Sequence, residues 1–382
     1  MRETRSKKIL IFQPVVPQYR LGFFRALSKA LDGNLEVCAT QRRQSGFMVD
    51  DGSTAKFFLR NIRTFTFGRL LIQPYMVRAV FRRDVDVIIA MNQMTRIETW
   101  ALLLAKKVIR KKVILWGHGC SPRDGKYARL LRPYMMRLAD ADIVYREAGQ
   151  RRACASGILK DKVFVAPNAL DTNALEAARS AISNDELHNF QVQKELLGRE
   201  VFLFVGRLLA YKKIGLLIDA VERLVGKHPG ILALIIGDGP DREVLLEDIR
   251  SRRLEQHVRL LGSLFDEAVL CKYFISSIAG VMPSAAGLFV QHAFQYGLPV
   301  ITDDDMSAHG PEVDILEHGK TGLFFKSEES RSLADAMESF LENPELYREM
   351  SVAAREKVIR EHTLDIMLSG YLAAIDSVRR NS

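Results

Sequence analysis

Arg207 and Lys212 stand just past an apolar run at residues 201–205 and the glycine Gly206. The guanidinium is a planar fork and the ammonium a mobile point charge, so the two together suit an anionic diphosphate better than either alone. The same residues also suit a solvated basic loop. His118, between Gly117 and Gly119, ends another apolar run, and imidazole titrates near neutrality without perturbation. Glu147, beside Arg146, and the pair Tyr19 and Arg20 follow further apolar runs. The adjacent carboxylates Asp303, Asp304 and Asp305 look like a metal site. Consecutive residues cannot all face one ion, so a solvated acidic loop is expected. No nucleophilic triad and no hydrolytic carboxylate pair is signalled.

These groups share one kind of joint. Residues 201–205 form a continuous apolar run of strand length, the pattern of a strand covered on both faces in a parallel sheet. Gly206 lets the backbone leave it tightly. Ile214, Leu217, Ile218, Val221 and Leu224 then recur with near-helical spacing. Arg207 and Lys212 therefore lie between strand and helix, at the carboxyl edge where open α/β sheets bind ligands. Residues 9–12 repeat the pattern, followed by the loop 13–20 and a helix through Phe23, Phe24, Leu27 and Leu31. Strands are expected at 35–39, 85–91, 112–116, 143–145 and 163–167, and in a second series at 231–236, 258–261, 279–282, 299–302 and 322–325. Such alternation of strands and helices argues for α/β, doubly wound parallel sheets. Segment 42–73 has no clear period.

With 382 residues the chain suits two domains, each of roughly 150 to 200 residues. Fifty-five Lys and Arg against 46 Asp and Glu give a net charge of +9. That excess suits nucleic acid, an anionic membrane surface or a polyanionic substrate. The basic clusters crowd the first half, at residues 2–8, 42–43, 82–83, 106–112, 123–137 and 151–152. Cys38, Cys120, Cys154 and Cys271 are scattered without metal or disulfide spacing, which fits a reducing cytoplasm. The charged start is not that of a signal peptide, and no apolar stretch reaches the ~18 residues that cross a bilayer.

The order of motifs resembles the retaining glycosyltransferases of family 4, which have the GT-B architecture of two Rossmann-like domains. It rests on Pro167-Asn168-Ala169-Leu170-Asp171, on Gly206-Arg207-Leu208 with Lys212, and on Gly237-Asp238-Gly239-Pro240. It rests further on the block from Pro283-Ser284 to Gly297-Leu298-Pro299-Val300, and on Pro311-Glu312 followed by Gly319 to Gly322. The resemblance implies an N-terminal acceptor-binding domain over 1–171, a linker at 172–199 and a C-terminal donor-binding domain over 200–360. A final helix at 361–382 is expected to pack back on the first domain, and the domains would face each other across a cleft. The donor would be a nucleotide diphosphate sugar, with no metal and no other cofactor. Arg207 and Lys212 would grip the diphosphate and neutralise the leaving group, and His118 would stand near the sugar. Gly206, Gly237, Gly239, Pro283, Gly287, Leu288, His292 and Glu312 would complete the donor site, the amides at Gly287 and Leu288 receiving phosphate at a helix start. Tyr19, Arg20, His118 and Glu147 would face the acceptor.

One departure stands out. The family pattern carries two glutamates separated by seven residues after Pro283-Ser284. Here Ala285 and Ala286 occupy a shortened loop, and His292 replaces the second glutamate. Imidazole still donates a hydrogen bond to a ribose hydroxyl, and Glu312 is the best substitute carboxylate.

The function expected is transfer of a hexose from a nucleotide diphosphate sugar to an acceptor hydroxyl. The acceptor would be a lipid-linked or surface-polysaccharide precursor. Around 127–137 a basic stretch contains Leu130, Leu131, Tyr134, Met135 and Met136, the make-up of a helix lying in an anionic membrane interface. The protein is therefore expected in the cytoplasm, peripheral at the inner membrane face. Alternatives are a GT-B nucleotide-sugar epimerase, and a non-catalytic nucleotide-sugar-binding or membrane-surface partner in polysaccharide assembly. Nucleic acid is not an expected partner, because the basic clusters lack an aromatic stacking platform.

Overall fold

A computed structural model describes residues 7–40, 57–67, 70–121 and 124–380. The basic residues Arg2, Arg42, Arg43 and Arg123 lie outside them, as does part of the unassigned segment 42–73. The chain divides into two compact units, residues 1–171 with 364–382, and residues 172–363.

In the first unit the strands are β1 (Lys8–Phe12), β2 (Leu35–Ala39), β3 (Phe58–Asn61), a small hairpin of β4 (Phe65–Phe67) and β5 (Leu70–Ile72), then β6 (Val85–Met91), β7 (Lys112–Gly117), β8 (Ala141–Val144) and β9 (Val163–Val165). All but the hairpin form one sheet in the order β3-β2-β1-β6-β7-β8-β9, with every neighbouring pair parallel. Alternate side chains of β1 feed different cores. Ile9 and Ile11 join Phe23, Phe24 and Tyr371, whereas Leu10 and Phe12 join Met76, Leu102 and Met135. That two-sided burial is why the strands read as unbroken apolar runs.

Helix Leu364–Arg380 belongs to this first core. Its Tyr371 ring lies 4.7 Å from Phe23. Gly370 sits so close to β9 that a Cβ there would be 2.4 Å from the Val165 carbonyl oxygen. Asp171 has a related packing role, since its carboxylate lies against Gly22 near the start of helix Leu21–Ala30, where a Cβ would be 2.3 Å away.

The second unit has β10 (Glu200–Val205), β11 (Ile231–Ile236), β12 (Val258–Gly262), β13 (Ala279–Met282), β14 (Val300–Asp303) and β15 (Gly322–Phe325). They pair in parallel in the order β12-β11-β10-β13-β14-β15. Residues 172–199, expected as a linker, are instead part of this unit. They form helices Thr172–Ser180 and Asn184–Gln193. Leu175 and Phe190 are buried there, the Phe190 ring lies 4.9 Å from Tyr273, and Glu176 pairs with Arg355 at 2.7 Å. The apolar residues are sparse but fall on one face, so a polar composition conceals packed helices.

Both sheets reverse direction of travel at an inner strand. The chain runs outward from β1 through β2 and β3 and returns at β6, and from β10 through β11 and β12 and returns at β13. At such switch points successive loops part on opposite sides of the sheet, leaving a crevice at the carboxyl edge.

One buried group opposes stability. Asp142 on β8 is 1% exposed, its two carboxylate oxygens have no hydrogen-bond partner, and burial pushes its pKa well above the ordinary 3.8. The folded chain thus holds a proton that the unfolded chain releases. Stability is fullest below pH 3.8 and is lost as pH rises toward the raised value. Asp142→Asn removes the ionisable group. It should raise the unfolding free energy at pH 7 by about 1–3 kcal/mol and flatten its decline with pH, read by urea melts between pH 4 and 8.

Candidate active site

Gly206 through Lys213 leave β10 at the second unit's switch point. Leu208 is buried as an anchor, and Arg207 before it is half-buried. Residues Ala210–Lys212 make one 3-10 turn, after which Lys213 takes a left-handed conformation at φ 53. The neighbouring ammonium groups of Lys212 and Lys213 have different partners. Lys212 Nζ donates to the carbonyl of Ala285 at 2.6 Å. Lys213 Nζ lies 2.7 Å from Glu328 and 3.7 Å from Asp303.

Ala285 belongs to the loop after β13, so the Lys212 bond joins the two loops that part at the switch point. Pro283, Ser284 and Ala286 are buried. Ala285 itself has φ +52, unusual for a residue with a side chain, and Gly287 caps helix Leu288–Gln295. Glu312 lies in the 3-10 turn Pro311–Ile315 and is buried. Its Oε2 would be 3.6 Å from a Cβ placed on Gly287 and 2.6 Å from one on Gly310. The structure thus brings Lys212, Gly287 and Glu312 to one corner. The carboxylate favours the charged form of Lys212, but desolvation dominates and pushes that ammonium down to about 8.

Gly237 and Gly239, expected at the donor, have a packing explanation. A Cβ on Gly237 would stand 1.8 Å from the Gly206 oxygen, and one on Gly239 would stand 2.1 Å from the Leu208 oxygen. These glycines let the 237–241 turn lie directly on the backbone of the basic loop. Leu208 N–H donates to the Asp238 carbonyl and Asp241 N–H to the Leu208 carbonyl.

His292 does not stand open. Its Nε2 lies 2.8 Å from Glu267, which also accepts from the Tyr296 hydroxyl at 2.6 Å, and its ring packs on Phe274 at 4.5 Å. Asp303 corrects the expectation of a solvated acidic loop. It is fully buried, accepting from Ser327 Oγ at 2.9 Å, while Asp304 is exposed. Among the described residues, one His and carboxylate group has metal-like spacing, His228, Glu338 and Glu342. Lys227 pairs with both carboxylates, so an ammonium already supplies the positive charge.

In the first unit, His118 is exposed at the end of β7. Gly117 and Gly119 both have positive φ, and the imidazole meets the Tyr145 ring edge-on at 5.1 Å. Arg20, expected at an acceptor, turns inward. It is 5% exposed, donates to Asn168 Oδ1 at 3.0 Å and lies 5.0 Å from the centre of the Trp116 ring. Tyr19 beside it is half-buried. Glu147 starts helix Glu147–Ala155, is exposed, and pairs with Arg151 at 3.2 Å. It forms an exposed helix-face pair one turn apart. Sequence reasoning does not single out His309, bonded to the Ala286 nitrogen, or Glu267, bonded to His292. The local signal was thin, a histidine just before Gly310-Pro311-Glu312 and a carboxylate at a helix start.

Comparison with known proteins agrees with this architecture. The model of the family described as glycosyl transferases group 1 matches residues 161–357, just over half of the chain. The chain belongs to that family and is a glycosyltransferase. A 2-deoxystreptamine N-acetyl-D-glucosaminyltransferase of Niallia circulans is 25% identical over 228 residues, 56% of this chain and 57% of the relative. An uncharacterized glycosyltransferase of Methanocaldococcus jannaschii is 24% identical over 345 residues, 78% of this chain and 83% of the relative. Among solved structures, HepE of Anabaena in complex with UDP has a TM-score of 0.75 at 18% identity, covering 97% of this chain and all of HepE. That likeness shows the fold, GT-B with two Rossmann-like domains.

Lys212 should titrate near pH 8. Between there and the ordinary 10.5 the unfolded chain keeps a proton that the folded chain has lost, so stability rises with pH across that window. Glu312→Gln removes the charge favouring the ammonium and should lower the Lys212 pKa further. Carbon-13 NMR of labelled lysine side chains reads both, and titration above pH 10 would contradict the burial argument.

Proposed function

We propose that the chain is a retaining glycosyltransferase of family 4, moving a hexose from a nucleoside diphosphate sugar to an acceptor hydroxyl. The observation that carries this is the meeting of two loops at the second unit's switch point, with Lys212 bonded to Ala285 beside Gly287 and Glu312. A diphosphate at this corner would take Lys212 Nζ from the Ala285 carbonyl and receive N–H bonds from the start of helix Leu288–Gln295, where the dipole favours an anion. Arg207 would add a bidentate grip. Negative charge grows on the diphosphate as the glycosidic bond breaks, so these cations would stabilise the transition state more than the ground state.

Retention implies attack on the face that the diphosphate leaves, with a leaving oxygen accepting the acceptor proton. Such a step needs no dedicated protein base. Glu312 would hold sugar hydroxyls in place of the first missing glutamate, and His292, its Nε2 held by Glu267, would reach the ribose through Nδ1. The nucleotide-sugar assignment is supported by the UDP bound to HepE. No metal or other cofactor enters this scheme, because Lys212 and Arg207 provide the countercharge.

The first unit would bind the acceptor, with His118 and Tyr19 at its sheet edge. A lipid-linked acceptor at a cytoplasmic membrane face is supported by two neighbouring helices. Helix Lys126–Leu138 exposes Tyr127, Leu130, Leu131 and Tyr134, and helix Ile97–Ile109 exposes Leu104 and Val108. Trp100 stacks on Tyr134 across them, and Lys126, Arg129 and Arg137 are exposed on helix Lys126–Leu138. No helix among the described residues is long and apolar enough to cross a membrane. The shortened loop at Ala285 favours a second reading, a nucleotide-sugar-binding partner without catalysis.

Two experiments test these readings. In a thermal-shift panel one nucleoside diphosphate sugar should stabilise the chain, by about 2.7 kcal/mol at a hundredfold excess over Kd. Lys212→Ala should weaken that binding roughly 10–100-fold, the worth of one charge-assisted bond. No response to any nucleotide would remove the donor site, whereas binding without transfer or hydrolysis would favour the non-catalytic reading. In vesicle flotation the chain should bind phosphatidylserine-containing vesicles and release in high salt, at about 1 kcal/mol per basic residue. Leu130→Glu should abolish flotation without lowering Tm, and equal binding to purely zwitterionic vesicles would argue against the charged-surface component.

A further inference from the structure

His309 is a buried histidine with both ring nitrogens committed to backbone partners. Its Nδ1 lies 3.0 Å from the Ala286 nitrogen, and because a backbone N–H only donates, Nδ1 is the acceptor. Its Nε2 lies 2.9 Å from the Asp303 carbonyl oxygen, which only accepts, so Nε2 carries the proton. The Asp303 carboxylate stands beside the same nitrogen, with Oδ1 at 2.9 Å, and its other oxygen faces Ser327 and Lys213. A second proton on the ring would set N–H against the Ala286 N–H, so the arrangement requires neutral imidazole in one tautomer.

The consequence lies in the shortened loop. Ala286 is held from both sides, its N–H by His309 and its carbonyl by the N–H of Gly310 at 2.6 Å. The preceding carbonyl, that of Ala285, is held by Lys212. Three successive polar groups of the backbone are thereby taken, immediately before Gly287 opens the helix. Lys212 grips the loop directly and Lys213 reaches it through Asp303 and His309, so the two lysines act on one turn by different routes.

We propose that His309, held in its Nε2–H form by Asp303, is a positioning residue that fixes Ala286 and so aims the amides of Gly287 and Leu288 at the donor diphosphate. This rests on the reading of that corner as the donor site. His309 does the work that a longer loop with its own side-chain contacts would do, bracing the turn from the end of β14.

Two near-isosteric variants separate the two halves of the imidazole. Asparagine reaches the Nδ1 position and can still accept from Ala286. Glutamine reaches the Nε2 position and can still donate to Asp303, but leaves Ala286 N–H without its acceptor. Calorimetric titration with UDP, uridine and inorganic pyrophosphate should show His309→Gln losing about tenfold in affinity for UDP and pyrophosphate but not for uridine, the effect of one buried hydrogen bond. His309→Asn should stay within about threefold of the unaltered chain. A general loss of packing would weaken uridine as well. Equal UDP affinity of the glutamine and asparagine variants, or of the glutamine variant and the unaltered chain, would overturn the proposal. Failure of the unaltered chain to bind UDP or pyrophosphate would overturn the donor reading and this inference with it. Amide hydrogen exchange gives the answer without a variant. Ala286 should be protected before UDP is added and Leu288 more strongly after, and fast exchange at Ala286 in the free chain would refute the clamp.

Discussion

The bond from Lys212 Nζ to the Ala285 carbonyl is the contact on which the proposed site depends. It joins the loops of β10 and β13 where the sheet's order of travel reverses, which is where a parallel sheet opens a crevice of its own accord. Desolvating an ammonium carries a cost, and the carbonyl and the Glu312 carboxylate offset part of it. In that half-compensated condition a neighbouring anion would favour the charged form of the lysine, opposing what burial does.

Around that bond the second unit restricts itself to backbone. Gly237 and Gly239 let one turn lie on Gly206 and Leu208 with no room for a side chain. Ala285 accepts a left-handed conformation that costs an L-residue about 1–2 kcal/mol, and the contacts at Ala286 hold the loop in that shape. Strain of this kind persists where the surroundings over-determine it. The outcome is a floor built largely of backbone, at which the side chains of Lys212 and Glu312 meet.

Much of the fold was legible because buried parallel strands are continuous apolar runs. The runs at 231–236, 279–282 and 322–325 became strands with those bounds, and Arg207 and Lys212 were placed between the apolar run at 201–205 and the helix after it by local pattern alone. What remained hidden depends on contacts between distant segments. Gly237 and Gly239 announce that a side chain is unwelcome but not whether a ligand or another turn is the reason. Arg20 looks like a loop cation, and only Trp116, Tyr145 and Asn168, brought from three other segments, show that it is enclosed. Glu147 has its partner one helical turn away, a spacing visible in sequence, yet its exposure was not. His309 meets Ala286 across 23 positions through a strand and a loop, so no local period marks it. The helices at 172–199 escaped because their buried residues are few.

The final helix, Leu364–Arg380, is a structural part of the first unit although the 192 residues from 172 to 363 intervene. On the ribosome the order of completion is therefore reversed. The second unit is contiguous and has all its strands once residue 363 has emerged. The earliest-made sheet must wait for Met367, Tyr371 and Ile375 to cover Phe23 and its neighbours. At about 5–20 residues per second that wait lasts roughly 10–40 s. For that interval the apolar side chains of the first unit that pack against Leu364–Arg380 lack that cover.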